Sequence, residues 1–258
     1  MIEPRASTVL VVDDNAIIRR LQEAQLEALR VQLVAASGGE EALVLMRSIQ
    51  PDLVLLDVVM PGMDGFRVCE AIKADAYTRE VPVMVVTALG KDARDRSFAA
   101  GADDFMRKPP NTLLLRARAM MHLRIRWAGV GEGPVRGPLL LVSADSDLNA
   151  LFPASLPQGV DLLRAATLDE ARAFLLKDPA AVIVDLNLEG AIAFTREARA
   201  THGELPMLLA HHPEDFTILE EEHPPVDDYL ELPATPADAR HRTRLLLRLA
   251  AAAARSRA

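Results

Sequence analysis

The first half of the chain alternates short apolar runs with longer segments in which apolar residues recur at helical spacing. The apolar runs are TVLVV (8–12), LVLL (53–56), VMVV (83–86) and DFMR (104–107). The segments between and after them predict helices near 15–29, 38–49, 64–75, 91–100 and 111–127. Strands that alternate with helices in this way require a parallel sheet with right-handed connections. The pattern therefore predicts an α/β fold.

The second half repeats the order of the runs. LLLV (139–142), AVIVD (181–185), LPMLLAH (205–211) and VDDYLELP (226–233) correspond in turn to the four runs of the first half. The intervening GVGEGPVRGP (129–138) is rich in glycine and proline and lacks apolar periodicity. A length of 258 residues suits two domains of ordinary size. We predict domains at 6–128 and 139–258 and a linker at 129–138.

Polar residues whose side chains can bind a metal ion or take part in a reaction lie at the ends of the first four runs. These residues are Asp13, Asp14, Asp57, Thr87 and Lys108. The carboxyl ends of parallel strands meet at one edge of the sheet, where open sheets bind their ligands. Three carboxylates at that edge repel one another unless a divalent cation lies between them, and a hydroxyl and an ammonium beside them suit a phosphoryl group. The arrangement predicts an aspartate that accepts phosphate.

Four motifs resemble the receiver domain of bacterial two-component response regulators. They are VLVVDDN (9–15), DLVLLDVVMPGMDG (52–65), VPVMVVTA (81–88) and GADDFMRKP (101–109), which together cover about the first half of the chain. The resemblance implies a flavodoxin-like (βα)5 domain, with a five-stranded parallel sheet in the order 2-1-3-4-5 and helices on both faces. Because the second half repeats the plan, we expect two such domains.

The resemblance also implies a metal site and a phosphorylated residue. Asp57 is the expected nucleophile, which forms an aspartyl phosphate in a Mg²⁺-dependent reaction. Mg²⁺ prefers oxygen ligands and commonly takes one or two carboxylates together with phosphate oxygens and water. By resemblance, Asp14 and Asp57 bind the metal directly, Asp13 acts mainly through water, and the backbone carbonyl of Val59 supplies another ligand.

Further residues are expected to bind the phosphoryl group and to change conformation when it is bound. Thr87 would hydrogen-bond one phosphoryl oxygen and Lys108 would pair with another. Ala88 is small enough to let Thr87 move inward, and Phe105 holds the position of the aromatic switch. The sequence is equally consistent with Phe105 being a core residue that takes no part in the switch. The movement would change a surface made of the fourth helix, the fifth strand and the fifth helix.

Two apolar residues near the phosphorylation site predict that the phosphoryl group is long-lived. In receivers, the side chains two positions after the phosphorylated aspartate and two after the switch threonine flank the attacking water. Val59 and Leu89 hold these positions, and neither can orient a water molecule. We therefore expect slow self-dephosphorylation.

The chemistry of the first site is not repeated in the second half. Asp185 corresponds to the nucleophile, but the two acids become Ser143 and Ala144, the threonine becomes His211 and the lysine becomes Leu232. Without a second carboxylate or an ammonium, Asp185 is not expected to be phosphorylated. This half resembles the pseudo-receiver, or adaptor, domains of the family.

Composition narrows the function further. A net charge of −8 argues against nucleic-acid or anionic-membrane binding. The single cysteine excludes an internal disulfide. No apolar stretch reaches the roughly 20 residues that cross a bilayer, and the N-terminus lacks an apolar signal region, so a cytoplasmic protein is expected.

Partners and output follow from the resemblance. We expect a sensor histidine kinase or phosphotransfer protein as phosphodonor, a phosphorylation-dependent homodimer and a downstream protein target, with no catalytic output of its own. The chain also resembles the receiver–adaptor half of PleD-type diguanylate cyclases, but it carries no GGDEF motif. Three alternatives stay open: a stand-alone tandem regulator, the regulatory fragment of a cyclase, and a scaffold outside any phosphorelay.

Overall fold

The computed structural model describes residues 7–90, 92–129, 135–153 and 156–256. The chain divides into two compact units between Arg126 and Trp127. The predicted linker, 129–138, lies partly outside the described residues, which omit 130–134, and so do the predicted first residue of the first domain and the last two residues of the second.

The first unit is a five-stranded parallel sheet with the order β2-β1-β3-β4-β5. Its strands are β1 (Thr8–Val12), β2 (Gln32–Ala36), β3 (Leu53–Leu56), β4 (Val83–Thr87) and β5 (Asp104–Arg107). Its helices are α1 (Ala16–Leu26), α2 (Gly39–Ile49), α3 (Gly65–Ala74), α4 (Asp92–Ala99) and α5 (Thr112–Trp127). The predicted strand order 2-1-3-4-5 is confirmed, and the predicted helices agree with these bounds to within a few residues; residue 91 lies outside the described part.

The second unit has the same topology. Its strands are β6 (Leu139–Val142), β7 (Leu162–Ala165), β8 (Ala181–Asp185), β9 (Met207–His211) and β10 (Asp228–Glu231). Its helices are α6 (Ser146–Leu151), α7 (Leu168–Leu175), α8 (Ala191–His202), α9 (Phe216–Glu222) and α10 (Pro236–Ser256). The sheet order β7-β6-β8-β9-β10 is again 2-1-3-4-5 within the unit. Both units are therefore α/β flavodoxin-like receiver folds. No helix in the described ranges is long and apolar enough to cross a membrane.

Burial on both faces explains why the central strands appear as continuous apolar runs. In β1, Leu10 and Val12 pack in one core cluster of the first unit, whereas Val9 and Val11 pack in the other. Successive side chains of a strand point to opposite faces, so a strand covered by helices on both sides needs apolar residues throughout. The edge strand β2, QLVAA, is exposed or half-buried at four of its five residues although four of them are apolar.

Two buried acidic groups predict a loss of stability at alkaline pH. Burial raises the pKa of the Cys69 thiol to about 12 and also raises the pKa of the Tyr229 hydroxyl. Above pH 9.0, the usual pKa of the thiol, the unfolded chain loses a proton that the folded chain retains. The free energy of unfolding should therefore decrease as the pH rises.

Thermal unfolding midpoints measured at increasing pH check this expectation. The Cys69→Ala variant serves as the control, because it removes the contribution of the thiol and should show a shallower decrease. Equal pH slopes for the variant and the wild type would contradict the role of the thiol.

Candidate functional site

Extensions of the strand pairing place the predicted site residues at one edge of the first sheet. The N–H of Asp13 donates to the carbonyl of Ala36 at 3.2 Å, directly after β1. Asp57 donates in the same way to Val12 at 2.9 Å, and Lys108 donates to the carbonyl of Thr87 at 2.8 Å. Each residue therefore lies where its strand ends, as the sequence predicted.

The three carboxylates form a cluster suited to a divalent cation. Ligand oxygens of Asp13, Asp14 and Asp57 all lie within 4.8 Å of one another. Asp13 and Asp57 are buried, with 1% and 6% of their surfaces exposed, whereas Asp14 is exposed. An all-oxygen set that is open on one side matches the preference of Mg²⁺ for carboxylates combined with water or phosphate. The donor set therefore fits the metal that the sequence predicts.

Lys108 joins two of these carboxylates. Its Nζ donates to Asp57 Oδ2 at 2.6 Å and also to Asp13 Oδ2. Burial of the ammonium opposes its charge, but the hydrogen bonds and charges of Asp13 and Asp57 outweigh this effect and raise the pKa of Lys108. The lysine therefore stays charged and neutralises part of the acidic cluster.

The loop between β1 and α1 is held by contacts that the sequence revealed only in part. Asn15 caps α1, because its Oδ1 accepts from the N–H of Ile17 at 2.9 Å. The N–H of Asn15 donates to Asp13 Oδ1 at 2.9 Å. Arg19 donates from Nη1 to the backbone carbonyl of Asp13 at 2.6 Å. The cap thus belongs to Asn15 and leaves Asp14 free of that role. The contact of Arg19 was not predicted.

The residues after β4 surround the threonine hydroxyl. Thr87 has no exposed surface, and its Oγ1 accepts from the N–H of Leu89 at 3.4 Å. Ala88 is exposed and Leu89 is half-buried. On the opposite side, Val59 is 52% exposed and donates its N–H to Asp57 Oδ1 at 3.2 Å. The carbonyl of Val59 as a metal ligand stays a prediction.

Strand β5 is tied to α5 around Phe105. Phe105 is half-buried. The backbone carbonyl of Phe105 accepts from Arg118 Nη1 at 3.1 Å. The fully buried Asp104 lies 3.2 Å from His122 Nε2 and 3.9 Å from Arg118. The sequence analysis did not identify Asp104 or His122. A basic residue at each of positions 118 and 122, one helical turn apart, is the signal that could have indicated a buried acidic partner.

Among the residues that the structure describes, the corresponding edge of the second unit holds no such cluster. Asp185 is buried, and its Oδ2 accepts from the hydroxyl of Ser143 at 2.7 Å while its Oδ1 accepts from the N–H of Asn187 at 3.0 Å. Leu232, at the position of the lysine, is apolar and buried, and His211 replaces the threonine. Within the described ranges, the acidic group of the first unit is the single set of three potential metal ligands.

Comparison with known proteins agrees with the geometry of the first unit. Residues 9–119 match the family model of the response regulator receiver domain. The chain is 42% identical to the response regulator PleD of Caulobacter vibrioides over 122 residues, which are 47% of this chain and 27% of PleD. It is 41% identical to ycf27 of Porphyra purpurea over 123 residues, which are 47% of this chain and 49% of ycf27.

A solved structure of a proposed response regulator from Chloroflexus aurantiacus is 32% identical, with a TM-score of 0.45, and the match covers 46% of this chain and 98% of that one. The chain spans about a quarter of the length of PleD and about half of the length of ycf27. The match to the family model shows that residues 9–119 are a receiver domain.

Proposed function

We propose that Asp57 accepts a phosphoryl group from a sensor histidine kinase or a phosphotransfer protein and that Mg²⁺ is required. The observation that carries this proposal is the cluster of Asp13, Asp14 and Asp57, with ligand atoms within 4.8 Å, contacted by the ammonium of Lys108. Receiver domains act in two-component systems, and the match of residues 9–119 to the receiver family model supports the proposal.

The protein contributes positioning and charge to this transfer. A carboxylate oxygen of Asp57 would attack the phosphorus of a phosphohistidine, so that one P–O bond forms as the P–N bond breaks. Transfer of this type needs little covalent chemistry beyond alignment and charge neutralisation. The Nζ atom of Lys108 lies 2.6 Å from Asp57 Oδ2, so it would pair with an oxygen of the incoming phosphoryl group. The buried hydroxyl of Thr87 would donate to another.

Asp13, Asp14 and Asp57 would hold the metal, with the carbonyl of Val59 as a further ligand. Bound Mg²⁺ would neutralise the negative charge that gathers between the phosphoryl group and the carboxylates. The acidic cluster offers more negative charge than the one ammonium of Lys108 can balance, which favours a divalent cation at this edge.

We further propose that the second unit is an adaptor that is not phosphorylated. Asp185 Oδ2 accepts from the neutral hydroxyl of Ser143, whereas Asp57 Oδ2 accepts from the ammonium of Lys108. Leu232 offers no charge to a phosphoryl group. The unit keeps the receiver fold but has lost the metal ligands and the ammonium.

The output of the protein is proposed to be protein contact rather than nucleic-acid binding or catalysis. Phosphorylation would change the surface of α4, β5 and α5, promote a homodimer and present a site to a downstream protein. The net charge of −8 disfavours a nucleic-acid partner. The contacts of Arg118 with β5 give this surface an internal link between strand and helix.

The phosphoacceptor role can be tested with a small-molecule phosphodonor and, separately, with a phosphorylated histidine phosphotransfer protein. Wild type should incorporate one phosphoryl group in Mg²⁺ and none in excess chelator. Asp57→Asn should incorporate none, and the matched variant Asp185→Asn should behave as wild type. Incorporation that survives Asp57→Asn would contradict the proposal.

Dimerisation requires a separate experiment. We expect light scattering to show a higher mass for the wild type in beryllofluoride with Mg²⁺, and an unchanged mass for Asp57→Asn under the same conditions. An unchanged wild-type mass would contradict dimerisation while leaving phosphorylation intact.

A second candidate function is the regulatory part of a diguanylate cyclase. The 42% identity to PleD favours it. A reading frame that continues past residue 258 with a GGDEF motif would establish this role, and a stop codon at that point would exclude it. Phosphate uptake at Asp57 is expected in either case.

A further inference from the structure

Two positions that carry the predicted switch in the first unit hold different side chains in the second. Thr87 and His211 are each the last residue of the fourth strand of their sheet, and Phe105 and Tyr229 are each the second residue of the fifth. The register is also matched, because Phe105 pairs with Val85 on β4 as Tyr229 pairs with Leu209 on β9. The pairs can therefore be compared directly.

The aromatic residue of the second pair is more deeply buried than that of the first. His211 has no exposed surface, like Thr87, but Tyr229 is 1% exposed whereas Phe105 is half-buried. The His211 ring meets Tyr229 edge-on, with centroids 6.1 Å apart, and meets Phe216 edge-on at 4.7 Å. His211 Nδ1 also lies 2.8 Å from the carbonyl of His212. We name Phe216, His211 and Tyr229 the ring cluster.

Asp185, at the end of the neighbouring strand β8, is fixed by hydrogen bonds. Asp185 is 2% exposed and receives hydrogen bonds from the Ser143 hydroxyl at 2.7 Å and the Asn187 N–H at 3.0 Å. Both of its oxygens are therefore engaged within the unit. The small hydroxyl that would move towards a phosphoryl group in the first unit is replaced by an imidazole fixed between two aromatic rings.

The contacts that support the fold are retained in both units. Arg199 pairs with Asp227 at 2.8 Å as Lys73 pairs with Asp103 at 2.6 Å. Asp227 also accepts the N–H of Met207 at 2.8 Å, as Asp103 accepts that of Val83 at the same distance. Both units therefore share these contacts, whereas Thr87 and Phe105 of the first unit correspond to His211 and Tyr229 in the second.

We propose that the ring cluster holds the second unit in one conformation, with Tyr229 inward, whatever the state of the first site. Outward movement of Tyr229 would expose its ring and separate the edge contacts with His211, and aromatic pairs of this geometry stabilise beyond the area they bury. The second unit is then a fixed module, and signal-dependent movement belongs to the first unit. This inference rests on the proposed function only in assigning the switch to the first unit.

The two tyrosines of the chain allow a direct test. Tyr77 is 87% exposed and Tyr229 is 1% exposed, so full-length protein containing 3-fluorotyrosine should give two fluorine NMR signals, assigned with Tyr77→Phe. A soluble nitroxide should broaden the Tyr77 signal several-fold more than that of Tyr229. The Tyr229 signal should show the same lines with and without beryllofluoride and Mg²⁺, because a ring fluorinated on one side gives at most two lines in a single protein conformation, one for each flip orientation.

A matched pair of variants tests the role of the imidazole. His211→Thr should broaden or split the Tyr229 signal and increase its sensitivity to the nitroxide. His202→Thr, the same substitution at the last residue of α8, should leave the signal unchanged. An unchanged Tyr229 signal in His211→Thr would overturn the role assigned to His211.

The wild-type measurement decides the proposal even if His211→Thr does not fold. Tyr229 lines whose number or relative intensities change on addition of beryllofluoride and Mg²⁺, or broadening by the nitroxide equal to that of Tyr77, would overturn it. The NMR readout does not depend on phosphate at Asp57. A failure of the protein to take up phosphate would therefore refute the proposed function but would not contradict the proposal for the ring cluster.

Discussion

Replacement of Lys108 by methionine is expected to destabilise the first unit strongly in the absence of Mg²⁺. The substitution removes the ammonium that contacts Asp13 and Asp57 while it leaves both carboxylates buried. Removal of one partner from a buried ionic group typically costs about 3 kcal/mol in the free energy of unfolding, because the remaining charge has no compensation. Saturating Mg²⁺ should restore much of this loss, since it binds the folded state through the same carboxylates.

Hydrogen exchange followed by mass spectrometry on the full chain can measure the effect in each unit separately. Protection should decrease in β1 and β3 and remain unchanged in β6 and β8. Leu232→Met, at the matched position of the second unit, is the control and should have a small effect, because it exchanges one apolar side chain for another of similar size.

The contribution of Lys108 should also depend on pH in a defined direction. Its pKa is raised in the folded protein above the usual 10.5. The stabilisation is therefore fully present below pH 10.5 and is lost as the pH rises through the higher folded value. A Lys108→Met variant as stable as wild type at neutral pH without Mg²⁺ would show that the two carboxylates do not need the ammonium.

Replacement of Val59 by asparagine is expected to shorten the lifetime of the phosphoryl group on Asp57. Val59 is 52% exposed and its N–H lies 3.2 Å from Asp57 Oδ1, so a polar side chain at this position would reach water beside the phosphoryl group. An amide can orient that water but cannot take its proton. We therefore expect an acceleration of about 10-fold, below the roughly 100-fold or more of a positioned general base.

Phosphate loss after rapid removal of the phosphodonor, in Mg²⁺ buffer, measures this rate. Val44→Asn is a suitable control, because Val44 is 69% exposed on α2 and the same change of side chain there should leave the rate unaltered. Leu89 is less suitable for substitution, since it is half-buried and packs against the core cluster. A wild-type half-life of seconds would contradict the prediction of a slow reaction.

These two predictions assign opposite tasks to neighbouring residues. In the proposed function, Lys108 would hold the acidic residues together before the phosphoryl group arrives and would then pair with that group. Val59 would leave the phosphoryl group without an ordered nucleophilic water. The two predictions together describe a site that should be stable without phosphate and should retain phosphate once it is acquired.

The fold and the first site were largely predictable from the sequence. The central strands are covered by helices on both sides, so they appear as apolar runs such as TVLVV and LVLL. The residues at the ends of those runs must meet at one edge of a parallel sheet, which placed Asp13, Asp57 and Lys108 together. The edge strands β2 and β7 were not predicted, and most of their residues are only half-buried or exposed.

The sequence by itself therefore determined the two repeated α/β units, the acidic site of the first and the loss of its residues in the second. Only the tertiary structure decided which distant side chains meet: Arg19 with the Asp13 carbonyl, His122 with Asp104, Ser143 with Asp185 and His211 with Tyr229. Periodicity along a chain reports which positions are buried, because burial repeats with the secondary structure. It carries no information on the partner of a buried polar or aromatic group, since that depends on side-chain direction across elements that lie many residues apart.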